Sequence, residues 1–145
     1  MDSRTQKILR LLKQHYPRAR CTLTHNSALQ LLIATILSAQ CTDERVNKIT
    51  KTLFKRYRSA KDYANAPITQ LEQDIKPSGF YKNKAKNIKK SAEIIHSKGK
   101  VPDTMEQLIA LPGVARKTAN VLLSNWFHKT EGIVVDTHVS RIAQR

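Results

Sequence analysis

Residues 111–127 read LPGVARKTANVLLSNWF, and the chain then runs through HKTEGIVV to a lone Asp136. Pro112 and Gly113 end one helical pattern and residues 115–127 begin another, so a tight turn joins two helices. In such a turn glycine lets backbone N–H groups of the turn and of the next helix point outward, forming a nest that binds a phosphate. An ordinary helical hairpin would give the same turn.

Lys117 lies one turn into the second helix. A lysine amine is a nucleophile only when unprotonated, and at its free pKa of about 10.4 roughly one in a few thousand is neutral near pH 7. Loss of water, a nearby cation such as Arg116 and a helix amino end all favour the neutral form, and the sequence is expected to supply all three. Taken singly, Lys117 is one solvated cation among many and Asp136 is a helix N-cap. Their order suits two groups facing one pocket beside a bound phosphate backbone.

The rest of the chain is helical by pattern. Apolar residues recur at spacings of three and four almost everywhere, strand-like alternation is nearly absent, and the expected fold is an all-α bundle of short helices. Ser3 with Gln6 reads as a capping box for a first helix that Pro17 stops. Ser27 with Gln30 opens the most apolar segment, Leu29 to Ala39, which predicts a central helix. Asp43 reads as the cap of a third helix, with Val46, Ile49, Leu53, Phe54 and Tyr57 inward and Lys48, Lys51, Lys55 and Arg56 outward. A helix over 82–98 carries Lys82, Lys84, Lys86, Lys89, Lys90 and Lys98 around an Ala85, Ile88, Ala92, Ile95 stripe and ends at Gly99. Thr104 with Gln107 caps the first helix of the hairpin.

The bulk numbers narrow the partners. The 145 residues are one domain's worth, 40% hydrophobic, with 26 Lys and Arg against 11 Asp and Glu, a net charge of +15. Such a charge calls for a polyanion, most commonly nucleic acid. No apolar run approaches the roughly 18 residues of a membrane span, and the amino end, MDSRTQK, is not a secretory signal, so an intracellular protein is expected. The two cysteines, Cys21 and Cys41, suit a reducing compartment and cannot alone make a four-cysteine cluster.

Three co-ordered motifs, LPGVARKTANVLL, VDTHVSRIAQR and LLIATILSAQCTDERVNK, resemble the endonuclease III family of DNA glycosylases within the helix-hairpin-helix superfamily, and the likeness extends over nearly the whole chain. The resemblance implies a helix-hairpin-helix glycosylase fold with a core domain over 21–132, the hairpin at 104–127, and residues 1–20 and 133–145 belonging to an incomplete second subdomain. It implies that Lys117 attacks the anomeric carbon of a damaged nucleotide, expels the base and forms a Schiff base, after which elimination cuts the strand 3′ to the lesion. Asp136 would stabilise positive charge on the sugar or help activate the amine. Gln40 would enter the gap left by the flipped base, or else be the frayed end of the central helix.

By the same resemblance, Leu111, Pro112, Gly113, Val114, Ala115 and Arg116 would grip DNA, and Thr118 and His138 would support the pocket, though a structural hydrogen bond is the more usual role of a single histidine such as His138. Ala115 stands where many relatives carry a second glycine. Lysine rather than serine at 117 implies a combined glycosylase and lyase; the resemblance alone implies oxidised or ring-damaged pyrimidines in duplex DNA as its substrates, and a monomer is expected. Full-length relatives continue into a four-Cys loop for a 4Fe-4S cluster, which this chain does not reach. The helix opening at Asp136 or Thr137 is unfinished at Arg145, which reads as truncation. Two rivals remain at this point: a non-catalytic helix-hairpin-helix DNA-binding module, and a mismatch or alkyl-base glycosylase without lyase action.

Overall fold

A computed structural model describes residues 2–145. Among them are nine α-helices: α1 Ser3–His15, α2 Ala28–Leu37, α3 Asp43–Arg56, α4 Ala60–Asn65, α5 Ile68–Ile75, α6 Tyr81–Lys98, α7 Met105–Ile109, α8 Arg116–Asn125 and α9 Thr137–Ala143, with a single 3-10 turn at Lys76–Ser78. No strand occurs among the described residues, so the expected all-α class is the observed one.

The centre is α2. Leu31, Leu32, Ile33, Ala34, Ile36 and Leu37 are all buried, covering almost the whole circumference of a ten-residue helix. A helix with no polar face has to be enclosed, and α3, α6 and α8 pack around it, with α4 and α5 lying against α6 and α7 against α8. The buried apolar residues run from Leu23 to Leu123 as one core.

Several helix ends differ from the sequence reading by one residue, each for a local reason. Asp2 rather than Ser3 caps α1, its carboxylate accepting from the Thr5 N–H at 2.7 Å. Thr42 rather than Asp43 caps α3, its hydroxyl accepting from the Arg45 N–H at 3.3 Å, which frees the Asp43 carboxylate to accept from the Thr22 hydroxyl. Ser27 and Thr104 cap α2 and α7 as expected. The hairpin's helices are shorter than their patterns, ending at Ile109 and starting at Arg116.

The basic face of α6 is also smaller than expected. Lys84 turns inward, with Nζ donating to the carbonyls of Leu37 and Ser78, and Lys89 donates to the carbonyls of Ala64 and Ala66. Both ammoniums therefore sit at carboxyl ends of other helices, where carbonyls lack intrahelical partners. Lys82, Lys86, Lys90 and Lys98 remain exposed.

Helices α1 and α9 bury no residue. Ile8, Leu9, Leu11 and Leu12 on α1 are 47, 43, 40 and 49% exposed, so α1 adds little to cohesion. Leu31→Ala should lower unfolding free energy by about 2–5 kcal/mol, the cost of a cavity in a packed core, whereas Leu12→Ala should cost less than about 1 kcal/mol. Urea unfolding followed by circular dichroism measures both; equal losses would mean that α1 is an integral part of the core.

Candidate active site

The hairpin turn is held by exclusion and by one hydrogen bond. Gly113 has φ 79°, a left-handed conformation that side chains resist, and a Cβ there would lie 2.9 Å from Asn87 Nδ2 and 3.0 Å from Asn87 Cβ. The Ser91 hydroxyl donates to the Pro112 carbonyl at 2.9 Å. Leu111 and Val114 are buried and pin the turn to the core, so their side chains face away from solvent and only their backbone is available to a ligand. Ala115 precedes α8 with φ −92° and ψ 173°, ordinary extended backbone that needs no glycine, and gives α8 no side-chain cap. The first N–H groups of α8 are thus left without a side-chain acceptor.

On α8, Ala119, Asn120, Leu122 and Leu123 are buried while Arg116 and Lys117 are exposed. The expected removal of Lys117 from water is therefore not met: the residue stands near the open amino end of the helix, with no element packed over it. The connection from α8 to α9 is fastened where Lys129 Nζ meets the Asp103 carboxylate at 2.9 Å, which holds that carboxyl below the usual carboxylate range. Farther along, Gly132 passes close to α8; a Cβ there would come within 3.1 Å of Asn120 Nδ2. The connection thereby returns Asp136 to the neighbourhood of Lys117.

Asp136 is the N-cap of α9, its carboxylate accepting from the Val139 N–H at 2.8 Å. That hydrogen bond first, then the charge and N–H of His138 and the charge of Lys117, hold its pKa below the ordinary aspartate value. It is an anion at neutral pH. Capping and facing the pocket are one arrangement here, because the carboxylate that ends the helix also lines the cleft with the amine.

Lys117 and Asp136 both line a cleft of about 670 Å³ whose other walls include Gln40, Ala115 and Thr118. A second hollow, about 630 Å³, shares the same two residues and adds Ser140 and Arg141. The amine and the carboxylate form no direct ion pair. Neither Arg116 nor His138 lines either hollow. Gln40 is exposed, three residues beyond the end of α2, and holds a left-handed backbone with φ 51°.

Some residues of this surface carry no signal in the sequence. Arg20, Cys21, Thr22 and Leu23 form a wall of the cleft, yet they lie in a stretch with no periodicity to mark it. Phe80 is 68% exposed with φ 45°, an aromatic that an apolar pattern would assign to the core. Trp126, the residue after α8, is 36% exposed and meets His25 edge-on with ring centroids 5.9 Å apart.

An iron–sulfur cluster takes four thiolates, and the residues present do not fit one: Cys21 and Cys41 are the chain's only cysteines, and no group of three or more His, Cys, Asp and Glu suited to a metal occurs among the described residues. No described helix is long and apolar enough to cross a membrane.

Residues 33–145 match the family described as HhH-GPD superfamily base excision DNA repair protein. The endonuclease III of Synechocystis sp. is 51% identical over 144 residues, covering 98% of this chain and 66% of that protein. The endonuclease III of Bacillus subtilis is 48% identical over 132 residues, covering 90% and 60%. The chain therefore spans a little under two thirds of the length of these relatives. A solved structure described as a trapped endonuclease III–DNA covalent intermediate superimposes on all of this chain and 70% of that one, with a TM-score of 0.91 at 46% identity. With the hairpin, the helical architecture and the ordered motifs already in place, the chain belongs to the HhH-GPD superfamily of base excision DNA repair proteins, among its endonuclease III members.

Proposed function

We propose that this chain carries the reactive centre of a bifunctional DNA glycosylase and abasic-site lyase acting on oxidised or ring-damaged pyrimidines in duplex DNA. The observation that carries the reading is the shared cleft: Lys117, Asp136 and Gln40 line one hollow beside the uncapped start of α8. The endonuclease III relative trapped as a covalent intermediate with DNA supports it.

On this reading the N–H groups at the hairpin and the exposed cations of α3, α6 and α8 bind phosphates. The damaged nucleotide rotates into the cleft, and Gln40 fills the space it leaves. Docked duplex would displace the water that surrounds Lys117 in the free protein, favouring the neutral amine. The amine attacks C1′, the glycosidic bond breaks, and the base departs with the bonding electrons. Opening of the sugar gives the protonated Schiff base; loss of a C2′ proton then expels the 3′ phosphate oxygen. Asp136, anionic at neutral pH, stabilises the cationic sugar and the iminium. Helices α1 and α9, with exposed apolar residues and no buried ones, are assigned to a second subdomain.

One observation favours a second reading. Lys117 is exposed in the free protein, as it would be in a module that only binds DNA. Borohydride reduction of the chain mixed with abasic-site duplex separates the two: a covalent adduct on denaturing gels, lost in Lys117→Ala, is expected, and its absence from the unsubstituted chain would leave only a binding module.

Asp136→Asn should lower single-turnover rate by about a hundredfold or more, the scale of one lost electrostatic group, while duplex affinity changes less than about threefold, because asparagine caps a helix as well as aspartate does. Parallel losses in both measurements would reduce Asp136 to a cap. If about six to ten phosphates are contacted, affinity should fall by some 10³ to 10⁵ between 50 and 200 mM salt, and a flat titration by fluorescence anisotropy would refute the basic surface.

A further inference from the structure

Lys84 stands apart from the other cations of α6. It is only 5% exposed, and its Nζ donates to the Leu37 carbonyl at 2.9 Å and the Ser78 carbonyl at 2.8 Å. No carboxylate pairs with it. Burial pushes its pKa below the ordinary lysine value, with the Cys41 thiol opposing that shift. An ammonium placed inside a protein without a counter-ion is expensive, and an apolar side chain of equal length would fill the same space without that penalty. Cohesion alone therefore does not account for it.

The two carbonyls explain more. Leu37 is the last residue of α2, three before Gln40, and Ser78 is the last residue of the 3-10 turn, two before Phe80. Gln40 and Phe80 are both exposed and both hold left-handed backbone, with φ 51° and 45°. Among the described residues only one other non-glycine, His128, does so. Such backbone persists only where its surroundings fix it, and the two segments that carry it meet at one nitrogen, within two hydrogen-bond lengths of each other.

We propose that Lys84 is a positioning residue: its ammonium clamps the end of α2 to the turn at 76–80, so that Gln40 and Phe80 meet a damaged duplex as one rigid two-point probe. The inference rests on the reading that this face engages DNA. It adds that the amide and the aromatic ring, which come from segments forty residues apart in the chain, act as a unit because one buried cation ties their supports together. An amide suits the unpaired base edge and a ring suits stacking, and the pair discriminates only if the spacing between them is fixed.

The test is Lys84→Met, with fluorescence anisotropy on duplexes that are undamaged or carry a tetrahydrofuran abasic-site analogue. Affinity for the abasic duplex should fall about tenfold and that for undamaged duplex less than about twofold, and in a Gln40→Ala/Phe80→Ala background the lysine substitution should add nothing, the signature of coupled residues. Equal losses on both duplexes, or additive losses, would show that Lys84 only supports the fold and would overturn the proposal. Native-state hydrogen exchange on the unsubstituted chain decides the matter even if Lys84→Met does not fold. The amides of Cys41 and Gly79, each hydrogen-bonded within its own segment, should open with constants that agree within about twofold and share one urea dependence; independent opening, differing by more than about tenfold, would overturn it. This second measurement uses no DNA. If the unsubstituted chain fails to distinguish the two duplexes, the proposed function fails while the exchange data still judge the clamp.

Discussion

The structure depends on α2 having nowhere to put a polar face. Six of its ten residues are buried, so it can exist only when other helices surround it, and α3, α6 and α8 do so. This enclosure brings chemistry together as a by-product of burial. Packing α8 on α2 buries Ala119, Leu122 and Leu123, which turns Lys117 toward the cleft and sets the start of α8 near the residues that follow α2. Gln40 and Lys117, far apart in sequence, become walls of one hollow because the same apolar helix forced both neighbours into place.

Much of this was legible in the sequence because burial leaves periodic traces. The all-α class, the central helix, the Ser27 and Thr104 caps and the Gly99 helix end all follow from spacing and from residues whose side chains have a single local use. The cap errors have the same origin. Asp2 and Ser3, or Thr42 and Asp43, are adjacent residues able to do the same job, and only the backbone geometry decides between them. The loop at 20–23 was silent for the opposite reason: wall residues of a cleft obey no period. Charge counting also overestimated the basic surface, since composition cannot distinguish a solvated lysine from Lys84 or Lys89, whose ammoniums end on backbone carbonyls.

The candidate site was legible in identity but not in environment. Order along the chain put Lys117 and Asp136 together, and both line one cleft. The sequence also suggested an amine already out of water, and that is not what the free protein holds. Segment 128–139 accounts for the difference. Ile133 and Val135 are 78 and 53% exposed, so of the apolar run before Asp136 only Val134 turns into the cleft that Lys117 lines, and the amine stays exposed. An apolar pattern says that a segment gains by burial, not that burial occurs within the same chain.

The same reasoning bears on the strained surface residues. Left-handed backbone at Gln40 and Phe80 and an unpaired buried ammonium at Lys84 are each unfavourable, on the scale of about 1–3 kcal/mol for each strained backbone residue. A chain that stabilises itself by only about 5–15 kcal/mol in total can carry few such features. Three of them meet on one patch, His128 being the one other left-handed non-glycine among the described residues, and the patch adjoins the cleft through Gln40. The concentration is what a binding surface requires when its contact points must be held rigid before the partner arrives, because strain already present in the free protein need not be imposed by the ligand.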